Sequence, residues 1–196
     1  MKRIGLIIIA LIIFSSQSKA QHKYYFPLGK PNDHIQLDTF SVKWYSEQLE
    51  ALDEPVIFLD KSHKEIYRFT WLRSFDPPIV IRIEQNNGQY LIFWKVGNGA
   101  GGYKPKKVFT FNQKIISKAI WNEFINRLNK INFWEMDTKE TGPFGTDGSE
   151  WILEGKVAGR YHVVDRWTPG EKTNYYKCCD YLIGLTGIKI RAGRKY

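Results

Sequence analysis

The chain has 196 residues, 43% hydrophobic, 15% aromatic and 25% charged, with 29 Lys and Arg against 20 Asp and Glu and a formal net charge of +9. This is the composition of one globular domain and excludes a disordered chain; scattered lysines without an aromatic and basic motif argue against nucleic acid as a partner. A chain of this length holds a core without needing a disulfide or a metal.

Residues 1–20 read as a secretory signal peptide: Lys2 and Arg3 precede the apolar run 4–14, and Ser18 and Ala20 are the small residues before a cut at Gln21. Eleven apolar residues rise only about 16 Å as a helix against a hydrocarbon core of roughly 30 Å, so no membrane span is expected after cleavage. No cysteine lies near the cut to carry a lipid anchor. Cleavage removes Lys2, Arg3 and Lys19 but no acid, leaving 176 residues at +6. The expected location is the periplasm or the extracellular space, where a mild positive charge serves solubility or attraction to an anionic envelope surface.

Residues 21–40 read as an extended lead-in and 41–196 as a single domain. Ser41 is expected to cap a helix with Val42, Tyr45, Leu49 and Leu52 on one face, ended by Pro55. Residues 56–59 read as a short strand. A longer strand follows, in which Tyr67, Phe69, Trp71 and Arg73 alternate with Arg68, Thr70, Leu72 and Ser74. Residues 79–96 form the clearest hairpin: a two-residue Asn87-Gly88 turn sets Ile83 opposite Ile92, Ile81 opposite Trp94 and Ile79 opposite Val96, with a mixed, partly wet opposite side.

The glycine-rich stretch 97–102 contains Gly-x-Gly-x-x-Gly, yet Tyr103, Pro105 and three lysines follow where a dinucleotide-binding helix would open. It reads as a loop needing positive φ or close backbone approach, and no cofactor is expected. A helix is expected over 112–132 with the stripe Ile116, Ile120, Phe124, Leu128 and Ile131, anchored by Phe133-Trp134. The polar loop 135–150 is acidic but lacks the spacing of a calcium loop, so no metal is expected. A second hairpin runs over 150–167. A closing helix covers 174–185, with Tyr176, Cys179, Leu182 and Ile183 inward and a stop at Gly187. Cys178 and Cys179 are adjacent, a poor geometry for bridging each other, and read as buried free thiols with an intermolecular bridge as the alternative. The order of elements gives an α+β fold, an antiparallel sheet built from hairpins with helices on one face.

Several segments, taken together, resemble a family of small, functionally uncharacterised bacterial exported proteins. These are Tyr67-Arg68-Phe69-Thr70-Trp71-Leu72-Arg73-Ser74-Phe75, Gly99-Ala100-Gly101-Gly102-Tyr103, Phe133-Trp134, Asp147-Gly148-Ser149-Glu150-Trp151-Ile152-Leu153-Glu154-Gly155 and Tyr161-His162-Val163-Val164-Asp165-Arg166-Trp167-Thr168-Pro169. The resemblance implies one domain and a bacterial source, and carries over no activity or site residue.

No catalytic motif is present, so the leading expectation is a non-enzymatic binding or inhibitor-like module acting on a cell-envelope component or a protein. A small hydrolase is the alternative, built on Asp147, Glu154, His162, Asp165 and Arg166 of the second hairpin, which could supply general acid and base groups. Cell-wall or carbohydrate binding through Trp121, Trp134, Trp151 and Trp167 is a third reading, distinguished by exposed coplanar indoles. A three-residue turn at Val157-Ala158-Gly159 would set Glu154 opposite His162 and Glu150 opposite Arg166. A two-residue turn would instead set Glu154 against Val163 and waste those charges. The first register predicts a His162 pKa raised by Glu154.

Overall fold

The computed structural model describes residues 23–29, 37–140 and 145–196; the leader and its cut site lie outside them. Six antiparallel strands form one sheet: β1 (Glu65–Arg73), β2 (Ile79–Asn86), β3 (Gln89–Gly97), β4 (Val108–Ile115), β5 (Ser149–Val157) and β6 (Arg160–Trp167). Their spatial order is β4-β3-β2-β1-β5-β6, so β1 lies between the two hairpins, β2-β3 and β5-β6, and pairs with both. Three α-helices, α1 (Thr39–Ala51), α2 (Lys118–Lys130) and α3 (Asn174–Thr186), complete a single α+β domain. No described helix is long and apolar enough to cross a membrane.

Strand alternation divides the core in two. Tyr67, Phe69 and Trp71 of β1 join Ile79, Ile81 and Ile83 of β2 and Trp151 and Leu153 of β5 against α2 and α3. Leu72, Val80, Ile152 and Val163 point the other way, against Val42, Tyr45, Leu49 and Leu52 of α1 and against Tyr25, Phe26 and Leu37. Helices on one face therefore describe α2 and α3 only, because the apolar stripe of α1 needs a cover of its own and takes the opposite face. Part of the lead-in docks there too, with the Tyr25 N–H donating to Ser46 Oγ at 2.9 Å.

The first hairpin has the register the Asn87-Gly88 turn dictates, with Ile83 paired to Ile92, Ile81 to Trp94 and Ile79 to Val96. Elsewhere local signals were outvoted. Asp38, not Ser41, caps α1: its carboxylate accepts the Ser41 N–H at 2.9 Å and the Ser41 hydroxyl at 2.7 Å. Residues expected as a strand at 56–59 make a 3-10 turn, Ile57–Leu59. The expected long helix over 112–132 begins only at Lys118, capped by Ser117, because the residues before Ile116 pair with β3 as β4. Cys178 and Cys179 are free and buried on α3, and burial pushes the Cys178 thiol up to about 12.

The second hairpin corrects the expected register. Ala158 and Gly159 both take positive φ, 47° and 82°, and form a two-residue turn that pairs Val157 with Arg160, Glu154 with Val163 and Gly155 with His162. Two-residue turns of this kind match strand twist, and that match wins because Glu154 finds its charge partner on β1, not on β6. Gly155 is required here: a Cβ on it would stand 2.7 Å from the Tyr67 ring and 2.9 Å from Phe133.

Candidate functional site

On the α1 face of the sheet, charged side chains replace the apolar residues expected of a covered surface. Arg68, fully buried, pairs with Glu154 across β1 and β5 and lies 3.6 Å from Glu54. Its Nη1 also donates to the Pro55 carbonyl at 2.6 Å. Glu54 holds Arg82 at 3.0 Å and Lys95 at 3.1 Å, and Arg82 continues to Glu84. The Tyr161 hydroxyl donates to Glu154 at 2.7 Å. The side of the first hairpin expected to be partly wet is thus a buried ion network, closed by the turn that follows α1. Burial raises the Glu154 pKa, while Arg68 and the Tyr161 hydroxyl act to keep its charge.

A second cluster on the same face joins Glu150 and Asp165. Tyr45 of α1 donates to Asp165 at 2.8 Å, and Lys139 stands 3.7 Å from Asp165 and 2.8 Å from Asp38. Burial, then the neighbouring Asp165 charge, push Glu150 up to about 9, so at neutral pH it is a neutral acid hydrogen-bonded to Asp165. Such a pair holds one proton between two carboxyl groups. Asp165 is only 3% exposed, covered by Tyr45 and Lys139, while Glu150 remains partly exposed.

The Glu150 shift has a testable sign. The folded pKa lies above the ordinary 4.5, so the stabilisation is fully present below 4.5 and is lost as pH rises through about 9. Glutamine keeps a donor toward Asp165 and has no proton to lose. Glu150→Gln is therefore expected to flatten the stability profile across that window and to gain roughly 1–3 kcal/mol at its alkaline end. Parallel denaturation profiles for parent and variant would contradict the shared proton.

The five residues expected to form a hydrolase site do not converge. Glu154 and Asp165 lie on the α1 face, His162 and Arg166 alternate onto the other, and Asp147 is exposed on the loop before β5. Arg166 is a clamp: it donates to the carbonyls of Thr138 at 3.1 Å and Asp137 at 2.9 Å, tying that segment to the edge of β6. His162 packs edge-on to Phe133, with ring centroids 5.2 Å apart, beside a depression of about 380 Å³ also lined by Trp134, Asp137 and Arg160. Burial lowers its pKa, the reverse of the expected shift, because Glu154 lies across the sheet. Its stabilising contribution is present above the ordinary value of 6.5 and lost as pH falls through the folded one. An NMR titration should show a His162 midpoint below 6.5 that Glu154→Gln leaves unchanged; a midpoint above it would restore the ion pair.

Among the described residues, no group of three or more His, Cys, Asp or Glu side chains is placed to hold a metal ion. The tryptophans singled out as a carbohydrate platform are no such surface: Trp121 and Trp151 are buried, and Trp134 and Trp167 are partly buried.

An open aromatic surface lies instead on the outer side of α1. Phe40, 75% exposed, and Tyr103, 63% exposed, flank Trp44 in a depression of about 540 Å³ edged by Lys43, Glu47 and Lys104. Gln48 fixes the two halves together, its amide donating to the carbonyls of Gly101 at 3.1 Å and Tyr103 at 2.8 Å. The glycine-rich loop reaches this position because Gly101 has no Cβ, which would stand 2.8 Å from the Arg73 nitrogen. Sequence reading identified this close approach but not the aromatic surface, because Phe40 and Tyr103 are 63 positions apart in the chain. A comparison with protein-family models and with curated proteins finds no match to this chain.

Proposed function

We propose that the protein is an exported, non-enzymatic binding module whose recognition surface is the depression formed by Phe40, Trp44 and Tyr103. The observation that carries this reading is the exposure of two large aromatic rings beside Lys43 and Lys104, on a surface held rigid by Gln48. Exposed apolar side chains of this size, rimmed by polar groups, mark interaction sites. The rings cover apolar or planar groups of a partner and the lysines meet its negative charge, which suits an anionic cell-envelope component. Export rests on the leader pattern of residues 1–20.

The test is cosedimentation of the protein lacking residues 1–20 with purified peptidoglycan and, separately, with phosphatidylglycerol vesicles. Binding to one of them is expected, weakened by salt and reduced at least tenfold in Phe40→Ser/Tyr103→Ser. Binding to neither, or equal binding by the variant, would overturn the reading.

A further inference from the structure

The two edges of the sheet are finished differently. Along β6, Lys139 forms a parallel bridge with Asp165, whose N–H donates to the Thr138 carbonyl at 2.7 Å, so a neighbouring segment covers that edge. At the other end β4 pairs, among the described strands, with β3 alone. The Ile116 N–H donates to the Tyr90 carbonyl at 3.0 Å, and hydrogen-bonded positions alternate along an antiparallel ladder. Asn112 and Lys114 therefore bond inward to β3, whereas Phe111, Gln113 and Ile115 turn their N–H and C=O groups outward. Residues 111–115 are all exposed, Phe111 by 53% and Ile115 by 78%. Phe111, Gln113 and Ile115 share the α1 side of the sheet, because they stand opposite Lys95, Phe93 and Leu91, which alternate with the residues facing α2 and α3. Proteins keep open edges from pairing with prolines and outward charges. Residues 111–115 contain no proline, and their one charge, Lys114, lies on the opposite side and donates to the Leu185 carbonyl at 2.6 Å.

We propose that the protein forms a twofold dimer through β4, which pairs antiparallel with β4 of a second copy and joins the two sheets into one. The outward N–H and C=O groups call for a strand, and this strand matches itself. A twofold axis perpendicular to the sheet keeps α1 of both copies on one side, so only side chains of the same face meet. With the axis at Gln113, Gln113 faces its own copy and Phe111 faces Ile115 of the second copy, on both sides of the axis. All three outward positions of each strand are then paired, and each exposed apolar side chain gains an apolar neighbour. With the axis at Asn112 the Phe111 ring would meet Gln113 instead, and Ile115 would fall opposite Phe109, where the register of β4 against β3 shifts. The edges left free are two copies of β6, already covered, so assembly closes at two. The interface shares no residue with the lining of the aromatic depression on α1, so its failure leaves the recognition surface standing.

The test is sedimentation equilibrium of the protein lacking residues 1–20, which keeps every described residue, over a concentration series. A monomer–dimer equilibrium with no larger species is expected. Both copies are net positive, so added salt should tighten the dimer, the reverse of its effect on envelope binding. Gln113→Pro removes one outward N–H without breaking a bond to β3, and is expected to give a monomer. Because Gln113 is exposed, charge at this position tests the register without disturbing the fold. Gln113→Glu and Gln113→Lys, each alone, set like charges across the axis and should dimerise roughly threefold or more weakly than the parent, whereas a mixture of the two should recover the parent affinity as a heterodimer. A parent that stays monomeric throughout the series, species larger than a dimer, or charge variants that dimerise as well alone as when mixed would each overturn the proposal.

Discussion

Arg68→Met is expected to cost about 3–5 kcal/mol of stability, a large fraction of the roughly 5–15 kcal/mol that an ordinary domain has. Arg68 is fully buried, pairs with Glu154, and stands 3.6 Å from Glu54. Methionine fills much of the volume but strips Glu154 of its only cationic partner among the described residues, leaving a charge in a site from which water is excluded. Glu54 would keep Arg82 and Lys95, so the damage should localise at the β1 and β5 pair. Urea denaturation measures it directly; a loss below about 1 kcal/mol would mean the network is solvated and of the weak surface kind.

Ile83→Asp should be equally severe for a different reason. Ile83 is fully buried and paired with Ile92, packed among the apolar side chains of the face covered by α2 and α3. An unpaired buried carboxylate costs several kcal/mol or takes up a proton, so the variant is expected to recover stability in acid relative to pH 7. A thermal midpoint equal to that of the parent would refute the register of the first hairpin.

The difference between the two hairpins shows what a sequence makes legible. Asn87-Gly88 pairs two apolar strands whose register is set by the turn and confirmed by every inward isoleucine, so local information suffices. In the second hairpin Glu150 turns to Asp165 of β6 and not to the expected Arg166, while Glu154, expected to meet His162 of β6, meets Arg68 of β1, and Lys156 meets Asp60 ahead of β1. The last two contacts depend on which strand lies on the other side of β5, a fact of topology that hairpin spacing does not contain. The same limit explains the strand β4, hidden in a helical-looking run until β3 is available to pair with it. It also explains the exposed pair Phe40 and Tyr103, joined only when Gly101 lets its loop sit on β1.

The charges of the second hairpin serve the fold, with Glu154 and Arg68 of β1 as a coupled structural pair, and the proposed recognition surface lies elsewhere, on α1. A double-mutant cycle in urea with Arg68→Met, Glu154→Leu and the combined variant tests this most directly. The predicted result is that each single change is strongly destabilising while the combined variant loses less than the sum by at least about 2 kcal/mol, since no charge is left stranded. Additive losses would contradict it, and would mean that Arg68 and Glu154 are held in place for something other than each other.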